Sequence, residues 1–294
     1  MQDFYGEVVD HLLHDDILDP GMQVLVICGG KQDKAVLQRK GFQHVVISNV
    51  DPRPDGSVFA PYTWCYQDAE HLSFEDDSFD FCLVHSGLHH CYSPHRALLE
   101  MYRVARKGLL LFEPYDNVVT RLGVRLNIGQ EYEHASVVTN DLGYGGVANS
   151  EIPNFIYRWT EREIVKTINS YAPEAPTEIR FMHKMRVPWT QLNNRRTRSL
   201  YFAMRLAQPL LKSIQFCLPK QCNNFAAVVL KPDLTRSLHP WLRSDGDGVR
   251  LNKQWLADRF RRRGLPTGMH REAVPVQRAV EPRAVIVPQR PKLA

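Results

Sequence analysis

The first part of the chain alternates short apolar runs with segments of helical spacing. Apolar and β-branched runs predict strands at 24–27, 44–51, 61–66, 81–86 and 109–114. The first of them is apolar without alternation and is expected to be covered on both faces. Amphipathic spacing predicts helices at 4–18, 32–40 and 94–106. Strands that alternate with helices in this way are typical of an α/β protein with a doubly wound, mostly parallel sheet.

Beyond residue 114 this alternation stops. Residues 115–160 carry several glycines and interleaved aromatic residues without a clear period, which predicts a cap over the carboxyl edge of the sheet. Thr160 and Glu163 form a capping-box signature for a helix at 161–170.

Two further apolar runs, at 177–185 and 225–230, bring the predicted sheet to seven strands. Between them, 190–218 is a basic and apolar helical insertion. We interpret it as a packed surface helix in preference to a membrane-surface helix.

The composition shifts after Pro232, which predicts a domain at 1–232 followed by a tail. Residues 233–294 hold 13 Lys/Arg against 6 Asp/Glu, a net +7 that leaves the first 232 residues at −2. This basic, Pro-containing tail is predicted to be largely flexible and is a candidate arm for an anionic partner. The acidic body disfavours nucleic acid as its partner. A short basic helix is predicted within the tail, at 249–263.

The 294-residue chain has 44% hydrophobic and 23% charged residues, which is ordinary for a globular protein. No apolar run approaches the roughly 20 residues of a membrane span, and the acidic start lacks a signal-peptide core. These features predict a cytoplasmic protein. The six cysteines include no CxxC pair and are expected to be free thiols. No metal site is predicted, because His85, His89 and His90 are not joined by a carboxylate or cysteine pattern.

The stretch 23–40 combines a strand, a glycine turn and a helix. Cys28, Gly29 and Gly30 end a buried strand, where small residues allow a ligand to approach the backbone. The positive end of the following helix faces the same turn. A nucleotide-like cofactor is therefore expected there. A nicotinamide dehydrogenase fits poorly, because the G-x-G-x-x-G spacing is absent.

Four blocks within roughly 22–114 carry a family resemblance. They are VLVICGG, ISNVD, DAEHLSFEDDSFD and SGLHHCYSPHRALLEMYRVARKGLLLFEP. In this order the chain resembles the class I S-adenosyl-L-methionine (SAM)-dependent methyltransferases, specifically the type 11 group. The resemblance implies a Rossmann-like methyltransferase fold whose last strand, NFAAVVLKP, is antiparallel, and it implies SAM as cofactor.

The resemblance also implies cofactor-binding positions. The glycine-rich loop under SAM matches Cys28, Gly29 and Gly30, although the family usually has Gly at 28, an acid at 26 and Gly at 32. The ribose acceptor matches Asn49, with Asp51 as the alternative on the same strand face. The remaining matches are Asp68 and Ala69 at the adenine, and His85 and Ser86 at the methionine.

Methyl transfer needs an aligned acceptor and, for a hydroxyl acceptor, a base. His89, His90 and, in the cap, His134 are candidate bases, although a packing role suits the His-His pair equally well. The predicted function is methylation of a small-molecule or biosynthetic-precursor acceptor, with oxygen as the first candidate atom and the aromatic cap as its pocket. The alternatives are a nucleic-acid or protein methyltransferase that uses the tail, and a non-catalytic SAM-binding protein. The oligomeric state stays open.

Overall fold

A computed structural model of the chain describes residues 4–126, 128–187, 189, 198–245 and 248–263. The described residues divide into two compact units, one that ends at Ser237 and one that begins at Leu238. The first unit holds the central sheet and both cavities discussed below. None of the helices within the described ranges is both long and apolar enough to cross a bilayer.

Seven strands form the sheet of the first unit, in the order β3-β2-β1-β4-β5-β7-β6. They are β1 (Gln23–Ile27), β2 (His44–Asn49), β3 (Thr63–Tyr66), β4 (Phe79–His85), β5 (Ala105–Pro114), β6 (Glu178–Lys184) and β7 (Asn224–Leu230). The pairs among β1 to β5 are parallel, whereas β7 runs antiparallel to β5 and β6. The predicted doubly wound sheet with an antiparallel closing strand is therefore confirmed.

Helices pack on both faces of this sheet. The first unit contains α1 (Phe4–His14), α2 (Lys31–Arg39), α3 (Pro94–Val104), α4 (Val118–Arg125), α5 (His134–Val138), α6 (Glu161–Tyr171), α7 (Arg198–Leu206) and α8 (Gln208–Cys217). Of these, α4, α7 and α8 bury no residue. The apolar sides of α1 and α2 bury one face of the sheet and those of α3 and α6 the other. Both faces of β1 are covered, so residues 24–27 are buried without alternation, as the sequence predicted.

Local signals place several helix ends correctly. Ser93 accepts a hydrogen bond from the backbone of Arg96, and Pro94 is the first residue of α3. Thr160 and Glu163 form the predicted capping box of α6. Of the predicted insertion, 198–206 and 208–217 are helical, while 190–197 lie outside the described residues.

The second unit lies within the predicted tail, 233–294. It contains a hairpin of β8 (Leu242–Ser244) and β9 (Val249–Leu251), followed by α9 (Lys253–Arg262). The helix predicted at 249–263 is therefore wrong for 249–251, which pair with 242–244. The rest of the predicted flexible tail, 264–294, lies outside the described residues.

The sheet positions the site through its strand order. β1 is flanked by β2 on one side and by β4 on the other. The strand order therefore reverses at β1: the later strands are added on the side opposite to β2 and β3. A crevice opens at such a switch point, outside the carboxyl ends of the strands. The predicted cap residues contribute α4, α5 and irregular segments to the same end.

Candidate functional site

The turn after β1 is held in an unusual backbone conformation. Cys28 has a φ of 51°, a left-handed value that favours glycine. Gly29 donates its N–H to the Ser48 carbonyl at 2.8 Å. A Cβ on Gly29 would lie 2.8 Å from both Val26 and Ile47, so no side chain fits there. The backbone therefore packs tightly under the crevice.

Gly30, the residue before helix α2, is hydrogen-bonded to a buried carboxylate. Its N–H donates to Asp33 Oδ2 at 2.8 Å. Burial raises the pKa of Asp33 to about 6, against hydrogen bonds from Gly30 and from the Tyr5 side chain that lower it. The loop, α1 and α2 are thus joined at one buried acid.

The end of β2 separates the two residues proposed for the ribose. Asn49 Nδ2 donates to the Gly29 carbonyl at 3.0 Å, and Asn49 Oδ1 accepts from the Asp51 backbone at 3.1 Å. Asp51 instead accepts two hydrogen bonds of 2.6 Å from the Arg53 guanidinium, which holds the pKa of that carboxyl below its usual value. Asn49 lines the crevice, whereas Asp51 is engaged beside it.

The loop after β3 supplies two acids. Asp68 Oδ1 accepts from the Glu70 backbone at 2.9 Å and its Oδ2 lies 3.5 Å from His71 Nδ1. Glu70 accepts from the backbones of Tyr92 and Ser93 at 3.2 and 2.7 Å. Asp68 thus caps its own turn, and Glu70 ties that turn to the segment before α3.

At the end of β4 the chain turns through a second left-handed residue. Ser86 has a φ of 55° and donates its N–H to the Phe112 carbonyl at 2.8 Å. A Cβ on Gly87 would lie 2.4 Å from Cys28 Cβ. The turns after β1 and β4 are therefore in direct contact, and they fit together because residue 87 has no side chain.

Glu113, near the end of β5, organises the loop after β4. It is buried, and Oε1 accepts from the backbones of Gly87 and Leu88 at 3.0 and 2.8 Å. Its Oε2 lies 2.7 Å from His89 Nδ1. Burial alone would lower the pKa of His89, but the charge of Glu113 and hydrogen bonds to Glu113 and Glu133 outweigh it and raise the pKa to about 10. A buried, cationic His89 between two acids is a poor general base.

The cap docks on this loop. Glu133 Oε2 lies 3.4 Å from His89 Nε2 and 3.3 Å from His90 Nε2. Asn154 Nδ2 donates to the His89 carbonyl at 3.1 Å. Burial and the neighbouring His89 lower the pKa of His90, so its imidazole is neutral near pH 7. His134 lies elsewhere in the cap, with its ring 6.5 Å from that of Tyr132.

A cavity of about 300 Å³ lies between the strand ends and the cap. Of the predicted cofactor residues, five line it: Cys28, Asn49, Asp68, Ala69 and Ser86. The other four, Gly29, Gly30, Asp51 and His85, do not line it. Its remaining lining includes His90 and cap residues such as Ser136, Gly146 and Asn149.

A second cavity, of about 630 Å³, adjoins the first at Ser86, which lines both. His85 points into this one and stacks on Tyr5 with ring centroids 4.9 Å apart. The walls come from α1, the end of β6, the start of β7 and α8. Three cations face it, namely Lys184, Arg186 and Lys212.

Sequence reasoning missed three residues that build the site: Glu70, Glu113 and Glu133. Glu113 is the one with a visible signal, because a charged residue inside the apolar run LLLFEP must find a buried partner. The partners themselves belong to loops that no local pattern connects to it.

Comparisons with known proteins agree with this architecture. The sequence profile of the methyltransferase domain family (type 11) matches residues 27–112. No curated protein sequence matches the chain.

Solved structures are similar at low identity. The BH2331 protein from Bacillus halodurans is 16% identical with a TM-score of 0.48, and the match covers 77% of this chain and 100% of that one. The YcgJ protein from Bacillus subtilis is 13% identical with a TM-score of 0.47, covering 77% and 99%. A SAM-dependent methyltransferase from Archaeoglobus fulgidus is 12% identical with a TM-score of 0.45, covering 78% and 100%.

The family match runs from the last residue of β1 into β5 and includes the ends of β1 to β4, which line the smaller cavity. The observed sheet is mostly parallel with an antiparallel seventh strand, as the resemblance implied. Residues 27–112 therefore match a methyltransferase domain, and the sheet that holds them has the Rossmann-like methyltransferase fold.

Proposed function

We propose that this methyltransferase modifies a small anionic acceptor, with an acceptor oxygen receiving the methyl group. The observation that carries the proposal is the second cavity, which adjoins the cofactor cavity at Ser86 and has a cationic lining. A methyl donor in one cavity and an acceptor in the other would meet beside Ser86.

The smaller cavity fits SAM in size and in the chemistry of its lining. Its volume of about 300 Å³ is at the lower end of the range for ligand pockets. We assign Asp68 to the adenine amine and Asn49 to the ribose, because both line the cavity and offer acceptor oxygens. SAM, when bound, supplies a methyl group on a positively charged sulfur. The residues of the chain hold the nucleoside and exclude water.

The larger cavity combines apolar walls with positive charge. Phe4, Tyr5, Phe112 and Phe225 line it, and no carboxylate occurs among its described lining residues. Lys184 is paired with Glu7 at 2.8 Å, whereas Arg186 and Lys212 form no ion pair within the described ranges. A carboxylate or phosphate on an otherwise apolar acceptor would complement these cations.

His85 is our candidate for the base that a hydroxyl acceptor needs. It lines the acceptor cavity directly before Ser86, and its ring is oriented by stacking on Tyr5. Histidine suits proton removal near neutral pH. His90 faces the cofactor cavity, and His89 is held between Glu113 and Glu133.

We predict that Asp68→Asn weakens SAM binding about 10-fold to 100-fold, the effect of losing a charged hydrogen-bond acceptor. Isothermal titration calorimetry measures the affinity, with Asp141→Asn in the exposed cap as the matched control. Unchanged affinity in Asp68→Asn would exclude our assignment of the adenine end, while leaving the methyltransferase fold in place.

For the acceptor, a screen with methyl-labelled SAM compares hydroxybenzoates with their neutral amides. We expect transfer to the acids, and we expect Arg186→Gln/Lys212→Gln to raise KM for them about 10-fold or more with little change in kcat. Lys166→Gln, on the exposed side of α6, serves as the control. Equal transfer to acids and amides would contradict an anionic acceptor. The cytoplasmic location stays a prediction.

A further inference from the structure

Three potential ligand atoms converge where the cap meets the sheet. One belongs to each of His89, His90 and Glu133, and the three lie within 4.8 Å of one another. Glu133 Oε2 faces Nε2 of both histidines. His89 and His90 follow β4, whereas Glu133 belongs to the cap just before α5. The cluster therefore joins two parts of the first unit that are far apart along the chain.

The two distances from Glu133 Oε2 to the imidazoles are long for hydrogen bonds and match the separation of ligands around a tetrahedral ion. Glu133 Oε2 lies 3.4 Å from His89 Nε2 and 3.3 Å from His90 Nε2. Charge-assisted N–H···O bonds measure about 2.7–2.9 Å, as the 2.7 Å contact of His89 Nδ1 with Glu113 does. Ligands about 2.0–2.1 Å from a tetrahedral zinc ion stand roughly 3.3 Å apart.

The far side of each imidazole has the partner that a metal-bound histidine requires. His89 Nδ1 faces Glu113 Oε2 at 2.7 Å, and His90 Nδ1 faces the Gly146 carbonyl at 3.4 Å. A carboxylate or carbonyl at Nδ1 fixes the tautomer that leaves Nε2 free to bind a metal. Asn154 Nδ2, 3.4 Å from Glu133 Oε2, steadies the third ligand.

The charges of the cluster also favour a cation. Glu113 is fully buried, and the Glu133 side chain is 30% exposed, so two carboxylates face the imidazole pair. In the ion-free protein the protonated His89 supplies part of the counter-charge that buried acids need. A dication bound at Nε2 would displace that proton and balance both acids.

We propose that His89, His90 and Glu133 bind one divalent transition-metal ion of the zinc type. Two imidazoles and one carboxylate are a ligand set that zinc accepts, with a fourth position for water. The sequence predicted no metal because Glu133 carries no motif and lies far from the His-His pair. The ion would link the cap to the loop after β4. The link would lie beside the smaller cavity, because both His90 and Gly146 line that cavity.

The test uses the full chain, stripped of metal with a chelator and then titrated with Co²⁺ as a spectroscopic probe. We expect one Co²⁺ per chain, visible absorption typical of nitrogen and oxygen ligands, and displacement by Zn²⁺. The ion should also raise the melting temperature, because it binds the folded state alone. His90→Ala and Glu133→Gln should each abolish the specific absorption, and Glu113→Gln should weaken binding about 10-fold to 100-fold.

His134→Ala and Glu131→Gln are matched controls, since both residues flank Glu133 in the cap and neither belongs to the cluster. Retained binding in the controls and loss in both cluster variants would establish the site. Thiolate-to-cobalt charge-transfer bands, or equal binding by Glu133→Gln and the unaltered chain, would overturn it. If Co²⁺ and Zn²⁺ both fail to bind the stripped protein, the cluster is an ion-paired contact alone and the proposal is wrong.

Discussion

Replacing Glu113 with alanine is expected to abolish SAM binding and to lower the free energy of unfolding by about 3–5 kcal/mol, the cost of breaking a buried ion pair from one side. The substitution leaves two backbone N–H groups, of Gly87 and Leu88, without their acceptor and leaves His89 without its nearest counter-charge. The loop that follows β4 then loses the contacts that shape one wall of the cavity that we propose for SAM.

Urea unfolding and calorimetry with SAM measure the two effects, both with a chelator present so that metal loss does not contribute. Glu178→Ala is the control, because this exposed acid at the start of β6 pairs with Arg180 at 2.7 Å on the surface. Such a pair contributes less than about 1 kcal/mol. A folded Glu113→Ala protein with undiminished SAM affinity would show that the loop holds its shape without the acid.

The sheet was predictable because its signals are local. The four residues from Val24 to Ile27 are fully buried, as an apolar run without alternation requires. Helix-capping signals act over one helical turn, so Ser93 and Thr160 mark the starts of α3 and α6 that the structure contains. In contrast, Val249–Leu251 was predicted as helix because its strand partner, Leu242–Ser244, has no pattern of its own.

The site was predictable in part. The sequence shows where each strand ends, but the face to which a side chain points depends on the alternation of side chains along the strand. Alternation along β4 sends Val84 to the face covered by α3 and sends His85 to the face covered by α1. His85 therefore lies in the larger cavity and Ser86, one residue on, at the junction of the two. The alternation of side chains along β4, applied at residue 85, would have distinguished the position of His85 from that of Ser86 using the sequence alone.

The cap shows the limit of composition as a signal. Its aromatic residues predicted an acceptor pocket, but Tyr157 and Trp159 pack around His95 with ring centroids 5.4 and 4.7 Å away. The larger cavity, which we propose for the acceptor, is lined by other segments, among them α1, 184–187 and α8. Aromatic content alone does not distinguish a wall of a pocket from a small core.

Gly87→Ala is expected to disable the cofactor site, and Cys28→Gly is expected to rescue it. The new Cβ would lie 2.4 Å from Cys28 Cβ and 3.1 Å from Val84 Cγ2. Overpacking of this kind costs about 1–3 kcal/mol of stability. Because the two turns that must move both line the cavity, SAM affinity should fall with it.

Cys28→Gly removes the atom that the new methyl group meets most closely. It also removes the cost of a left-handed L-residue at 28, about 1–2 kcal/mol, which offsets the lost packing of the thiol. Unfolding free energies and SAM affinities of the unaltered chain, both single variants and the double variant complete a double-mutant cycle. We expect a favourable coupling of about 1–3 kcal/mol. Additive effects would mean that the two turns do not interact. They would also mean that Cys28, at a position where the resembled family usually has glycine, does not restrict which residue fits at position 87.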